Sequence, residues 1–210
     1  MARQGSRIAG EQRPAGVGDA PDAVIVAVVE LLETEGYEAV QLREVARRAR
    51  VSMTTIYRRY PTREALIVGA LRWWMDENRY AGVAAGAAEQ LSGSMYDDLM
   101  TLFRTIFQPW EQNPRMLRAY FRAQAGPGGQ GLTEHGLDVV VPVARTILAQ
   151  ADPAFASDME TILSGVIYGL LAQFADGAIA VTDILPALER AVFWLTASQA
   201  AMHAHSDLSR

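Results

Sequence analysis

The sequence predicts an all-α chain in two parts, a three-helix helix-turn-helix unit followed by a larger helical domain, about nine helices in all. Three observations predict it. Apolar residues recur at steps of three and four along the chain, and no stretch shows the period-two alternation of a half-buried strand. Gly and Pro interrupt that pattern at intervals that suit helices of ordinary length. Half of the 210 residues are apolar, enough to bury a sizeable core.

Residues 1–18 mix Gly, Arg, Gln and Pro without periodicity and are expected to be a disordered tail. Structure is expected from residue 19, where Asp19 or Asp22 can cap a helix and Pro21 suits its first turn. Val24, Ile25, Val28, Val29 and Leu32 then follow helical spacing until Gly36 supplies a stop. Leu42, Val45, Ala46 and Ala49 form the apolar stripe of a short second helix, with Arg43, Arg47 and Arg50 opposite. Ser52 caps a third, stapled by Val51 and Ile56. It must end by Tyr60, because the residue before Pro61 is pushed out of the α region. Thr62 caps a fourth, through Leu66, Ala70 and Trp73.

Further helices are expected from Ser94 to about Gln108, from Asn113 to about Ala125, from Thr133 to about Gln150 with a kink at Pro142, from Phe155 to about Ala178, and from Thr182 to about Met202. The stretch Thr161 to Val181 carries one charge, Asp176, and a Gly165/Gly169 pair of the kind found between membrane helices. Gln173 and Asp176 are costly in hydrocarbon and no basic cluster flanks them, so the stretch reads as a helix buried in a protein interface and no membrane partner is expected.

The net charge of −5 hides an asymmetry. Residues 1–72 hold 11 arginines against 9 acids, and the remainder holds 8 against 15. Between residues 43 and 63 there are seven arginines and one acid, Glu44. Absence of cysteine excludes a disulfide framework, a cysteine zinc site and thiol catalysis, and fits a cytoplasmic setting. The three histidines, His135, His203 and His205, form no ligand pattern, so neither a metal nor a cofactor is expected.

Residues 42–60 read as helix, tight turn, helix. Packing of Leu42, Val45, Ala46, Val51, Ile56 and Tyr60 leaves a free surface on the second of these helices, carrying Thr54, Thr55, Tyr57, Arg58 and Arg59. Hydroxyls and guanidinium forks can read base edges in a DNA major groove, and Arg and Tyr can reach phosphates. The plain alternative is a solvated helix with surface arginines.

Here the chain resembles a known family. The run GYEAVQLREVARRARVSMTTIYRRYPTREAL, Gly36 to Leu66, resembles the DNA-binding domain of the tetracycline-repressor-like (TetR) transcriptional regulators. The resemblance rests on Gly36-Tyr37, Val45-Ala46, Val51-Ser52, Thr55-Ile56-Tyr57, Tyr60-Pro61 and Glu64-Ala65-Leu66. Within the family, GYEAVQLR, TIYRRYP and AVTDILPALERAV are similar to actinobacterial repressors of cholesterol-catabolism genes.

The resemblance implies a DNA-binding domain at residues 19–66 and a ligand-binding and dimerisation domain at 67–205. It places Ser52 at the N-cap of the recognition helix, and Thr54, Thr55, Tyr57, Arg58 and Arg59 at DNA. Gln41, Arg43 and Arg63 would hold phosphates. Arg50 stands where the turn usually has Gly, which implies a left-handed residue; Thr54 replaces a frequent Gly and Arg63 a usual Lys.

The implied partners are a double-stranded palindromic operator, a small apolar effector and a second copy of the chain. The last two helices would form the dimer, along Leu185, Leu188, Val192, Leu195, Gln199 and Met202 on one and Met159, Leu163, Val166, Leu170 and Phe174 on the other. The effector cavity is expected among Phe103, Phe107, Trp110, Leu117, Phe121, Tyr168 and Leu171, with Arg104, Arg118 and Arg122 as nearby charges for an acidic group. The reading is of a ligand-responsive repressor rather than an enzyme. An all-helical enzyme would have to use Glu134-His135 or His203-Ala-His205, and a protein-interaction module could keep the shape without binding DNA.

Overall fold

The computed structural model describes residues 22–86, 92–149 and 151–208, with side chains at 22–83, 92–149 and 151–197. The expected tail at 1–18, the capping positions Asp19 and Pro21, and the side chains of Gln199, Met202, His203 and His205 lie outside the described residues. All regular structure among the described residues is helical.

Helix α1 (Ala23–Thr34) starts at Asp22, whose carboxylate accepts the Val24 N–H at 3.2 Å. It stops where Gly36, at φ 92°, turns the chain and donates its own N–H to the Leu31 carbonyl. A 3-10 turn (Tyr37–Ala39) leads into α2 (Leu42–Ala49), which buries Val45 and Ala46. The next residue, Arg50, takes φ 54° and ψ 40°, the left-handed conformation expected of it, with the amides of Arg50 and Val51 closing on the end of α2. A side chain there costs roughly 1–2 kcal/mol that glycine avoids, although glycine loses more freedom on folding. Arg50→Gly should therefore raise stability by about 0.5–1 kcal/mol, a rise of a few degrees in Tm; a fall would show that the Arg50 side chain holds the turn.

Helices α3 (Met53–Arg59) and α4 (Arg63–Met75) begin at Ser52 and Thr62, whose hydroxyls accept the N–H of Thr55 and Ala65. Helix α4 does not stop at residue 75. It widens into a π-helical turn (Asp76–Tyr80) and continues as α5 (Ala81–Gly86). That turn buries Arg79 and Tyr80 and exposes Asp76 and Glu77. Counted as one run, residues 63–86 make the described α-helices nine, the number expected.

Helix α6 (Met95–Gln112) outruns its expected end at Gln108, passing through Pro109. Pro109 has no amide to give the Thr105 carbonyl, and the helix continues through it for three more residues. The next residue, Trp110, is 2 % exposed and stacks on Trp74 with ring centroids 4.8 Å apart. Helices α7 (Pro114–Gln124) and α8 (Gln130–Leu148) follow. Helix α9 (Pro153–Ala175) begins two residues before the expected Phe155, because the Asp152 carboxylate accepts the N–H groups of Ala154 and Phe155 and Pro153 suits the first turn. A 3-10 turn (Val181–Asp183) precedes α10 (Ile184–Leu208).

Helix α1 packs on α2 and α4, while α10 lies along α6 and α9. Helix α7 ties the two halves together, touching α1, the 3-10 turn, α4, α6 and α8. Its Arg115 donates to the carbonyls of Glu33 and Thr34 at the end of α1, and its Arg122 pairs with Glu38 and covers the Tyr37 ring. From α4, the Trp74 indole N–H donates to Glu33 Oε1 at 2.9 Å.

The apolar stripes assigned to a dimer need a correction. Leu188 and Val192 are fully buried within the chain, and Met159, Leu163 and Phe174 are 1–6 % exposed. Their spacing is that of a packed seam, but the partner is this chain's own core. No helix among the described residues is long and apolar enough to cross a membrane.

Candidate nucleic-acid interface and ligand cavity

The helix-turn-helix sorts its arginines by the partners it supplies. Glu44 accepts from Arg47 and Arg48 and is held down at about 2 by those hydrogen bonds; Arg48 also reaches Glu35 on α1 at 2.6 Å. Arg59, expected at DNA, donates instead to Asp22 at 2.7 Å, tying the end of α3 to the start of α1. Arg43, Arg50 and Arg58 are exposed and make no hydrogen bond or ion pair among the described residues.

Arg63 departs furthest from expectation. Its Nε donates to the Val40 carbonyl and its Nη2 to the Tyr37 carbonyl, each at 2.6 Å, and the guanidinium lies 4.7 Å from the Tyr37 ring centroid. The charge faces inward because the loop before α2 offers the Val40 carbonyl and the Tyr37 carbonyl, the latter also accepting the Val40 N–H at 3.4 Å. Arg63 is thus a clasp between α4 and that loop rather than a free phosphate ligand. Arg63→Ala should cost about 1–3 kcal/mol in thermal unfolding, whereas Arg43→Ala should stay within about 0.5 kcal/mol. Equal stability of the two variants would remove the clasp.

The exposed face of α3 is narrow. Thr54, Tyr57 and Arg58 stand at i, i+3 and i+4, with Tyr57 51 % exposed, while Ile56 points into the core. Thr55 is half-buried and its hydroxyl lies 2.9 Å from that of Ser52. Ser52 is therefore a cap, as expected, and Thr55 sits behind the exposed face. Gln41 opens α2 without capping it, its side-chain amide donating to the Glu38 carbonyl.

The second half holds a cavity of about 140 Å³, partly open to solvent, between the π-helical turn and α6, α7, α8 and α9. Of the residues expected there, Phe107, Trp110, Leu117, Tyr168 and Leu171 line it. Phe103 and Phe121 do not. Phe103 is buried with its ring against Phe107, and Phe121 packs between Tyr120 and Phe174.

The charges expected nearby are also displaced: Arg104 pairs with Glu189, Arg122 with Glu38, and Arg118 lies over Phe174. The cationic wall is Arg79 instead, with Tyr80, Tyr120, Thr133 and Ser164 as further polar groups. A signal existed, since the polar run Asp76-Glu77-Asn78-Arg79 interrupts the apolar pattern after Met75, but the sequence does not show that a π-helical turn rotates Arg79 and Tyr80 inward. His135 faces Asp76 at 2.5 Å and Arg72 at 3.2 Å, joining α8 to α4 outside the cavity lining. Among the described residues no group of His, Cys, Asp and Glu could hold a metal ion.

A helix-turn-helix with one bare helix face, joined to a helical domain with a cavity, is the architecture of a one-chain transcriptional regulator. Two family models match in series: "Bacterial regulatory proteins, tetR family" over residues 24–70, and "Tetracyclin repressor-like, C-terminal domain" over residues 93–195. The chain belongs to the TetR family of helix-turn-helix transcriptional regulators, a family of regulatory proteins and not of enzymes.

Among curated relatives it is 31 % identical over 111 residues to the HTH-type transcriptional repressor KstR of Mycolicibacterium smegmatis, covering 51 % of this chain and 53 % of that one. It is 26 % identical over 102 residues to the uncharacterized HTH-type regulator YvkB of Bacillus subtilis, covering 49 % and 51 %. The chain thus spans about half the length of the curated relatives it matches. A solved TetR regulator from Rhodococcus sp. RHA1 superposes with TM-score 0.58 at 19 % identity, over 82 % of this chain and 93 % of that one. A second TetR-like regulator from the same source gives 0.55 at 16 %, over 81 % and 92 %. At those identities the likeness is one of fold.

Proposed function

We propose that the chain is a ligand-responsive repressor that binds a palindromic operator as a homodimer and is released by a small effector. The observation that carries the reading is the bare face of α3: Thr54, Tyr57 and Arg58 in one row, unpaired by any described residue, with Arg43 of α2 also unpaired. Residues 22–66 do the reading and residues 67–205 the sensing, the division falling inside α4, which is therefore the mechanical link. The recognition set is Thr54, Tyr57 and Arg58 for the groove and Arg43 for phosphate. Arg59, Arg63 and Thr55 hold the unit in shape.

One α3 covers too few base pairs for useful specificity, which is why such units act in pairs on half-sites about 34–36 Å apart. An effector works by its difference in affinity between the arrangement that fits that spacing and one that does not. Helix α7 touches both the cavity and the end of α1, and the π-helical turn is continuous with α4, so a change in the cavity has two short routes to the recognition helix.

The test is a mobility-shift series with DNA adjoining the gene, over a range of salt. Arg58→Ala should cost about 1–3 kcal/mol and relax preference at one base position, and Arg43→Ala should weaken all sequences alike and lower the salt slope by about one ion. Unchanged affinity and slope in both variants would overturn the reading.

A further inference from the structure

Arg79 is 8 % exposed and faces the cavity, yet no carboxylate among the described residues lies within ion-pair distance of it. Its Nε donates to the Ile106 carbonyl at 2.7 Å and its Nη1 to the Tyr80 hydroxyl at 3.0 Å. The guanidinium lies 4.5 Å from the Trp110 ring and 5.0 Å from the Tyr80 ring. A guanidinium has five N–H donors, so most of its capacity is unused. Ring faces and a phenol offset only part of the cost of burying a full charge, and a buried cation ordinarily has a paired anion. Burial accordingly pulls the Arg79 guanidinium below its usual range.

The rest of the cavity lining is mostly apolar. Phe107, Leu117 and Leu171 make its walls apolar. Leu137 and Tyr168, 46 % and 51 % exposed, mark where it meets solvent, so Arg79 stands at the inner wall. Its volume of about 140 Å³ matches an engineered apolar cavity that accepts benzene.

We propose that the cavity takes a monocarboxylate with an apolar, ring-sized body, its carboxylate pairing with Arg79 on the π-helical turn and its body lying among Phe107, Leu117 and Leu171. This rests on the reading of the chain as a ligand-responsive regulator and names the chemistry of that effector. Since the π-helical turn runs straight into α4, neutralising Arg79 acts on the helix that joins the sensing and reading parts.

The experiment has two readouts on the full chain. The first is binding of benzoate and 4-phenylbutyrate, with benzamide as the neutral counterpart, followed by calorimetry and by the chain's tryptophan fluorescence, to which Trp110, under the Arg79 guanidinium, contributes with three others. Wild type should prefer at least one acid over the amide by about tenfold or more. Arg79→Met should abolish that preference, and Arg79→Lys, which keeps the charge, should retain part of it. If Arg79→Met fails to fold, Arg79→Lys and the wild-type acid-to-amide ratio still decide. Equal affinity for acid and amide in wild type, or no saturable binding of either acid, overturns the proposal.

The second readout is operator affinity with each compound. Selective binding of an acid that leaves DNA affinity unchanged supports the anion site and counts against the ligand-responsive reading. Release of DNA by the amide as readily as by the acids supports that reading and overturns the anion site.

Discussion

Gly169→Leu should leave the protomer folded and separate the proposed dimer. No heavy atom outside the local helix lies within 4 Å of a Cβ built at Gly165 or Gly169, so the exposed side of α9 has room for larger residues in the protomer. Glycine inside a helix is worse than other residues by up to about 1 kcal/mol, so the substitution should not destabilise α9. The same strip carries Ile162, 44 % exposed, and α10 presents Phe193 at 50 % and Trp194 at 69 %. Two small residues one turn apart on an exposed strip form a surface that another helix can approach closely, and a leucine at Gly169 would fill that space.

Sedimentation should show wild type at twice the 22.9 kDa chain mass and the variant at the chain mass, with no loss of helicity. Operator affinity should fall by about 10²–10⁴, the advantage of engaging two half-sites together. A variant that stays dimeric would place the interface elsewhere, and a monomeric wild type would remove the dimer.

This face also shows where the sequence stops being informative. The steps of three and four in α9 and α10 locate an apolar seam, but they do not say whether the other side of it is the same chain. Leu188 and Val192 went into the core, and the exposed large apolar groups of α9 and α10 proved to be Ile162, Tyr168, Phe193 and Trp194. What was legible was local. The caps at Ser52 and Thr62 and the end of α3 before Pro61 each follow from residues within four positions of one another, whereas the left-handed Arg50 followed from the family resemblance.

Pairings between distant residues were not legible. Arg59 meets Asp22 across 37 positions, Arg63 meets Tyr37 across 26, and Arg79 meets the Ile106 carbonyl across 27. Whether an arginine is a free cation, a clasp or a buried charge depends on what folding brings to it. The sequence sets only the total, and in the arginine-rich segment the fold leaves Arg43, Arg50 and Arg58 unpaired among the described residues.

Trp110→Ala should be the most destabilising single change in the sensing half. The indole is 2 % exposed, stacks on Trp74 at 4.8 Å, lies 5.7 Å from Tyr120 and offers its face to Arg79. Truncating a buried aromatic of this size costs about 3–5 kcal/mol, and Arg79 would also lose one of its two ring faces. In a chain of this length each kcal/mol is worth about 2–4 °C, so Tm should drop by roughly 6–20 °C.

Two comparisons make the result specific. Trp194→Ala, on an exposed side chain, should move the stability of the protomer by under about 0.5 kcal/mol. Trp74→Phe should keep the ring stack and lose the indole bond to Glu33, a cost of about 1 kcal/mol that falls on the joint between α4 and α1. If Trp110→Ala unfolds no more easily than Trp74→Phe, the stack is not the element that holds the π-helical turn to α6. If it costs what is expected, the aromatic column from Trp74 through Trp110 to Tyr120 is what holds α4 and the π-helical turn to α6 and α7 beside Arg79.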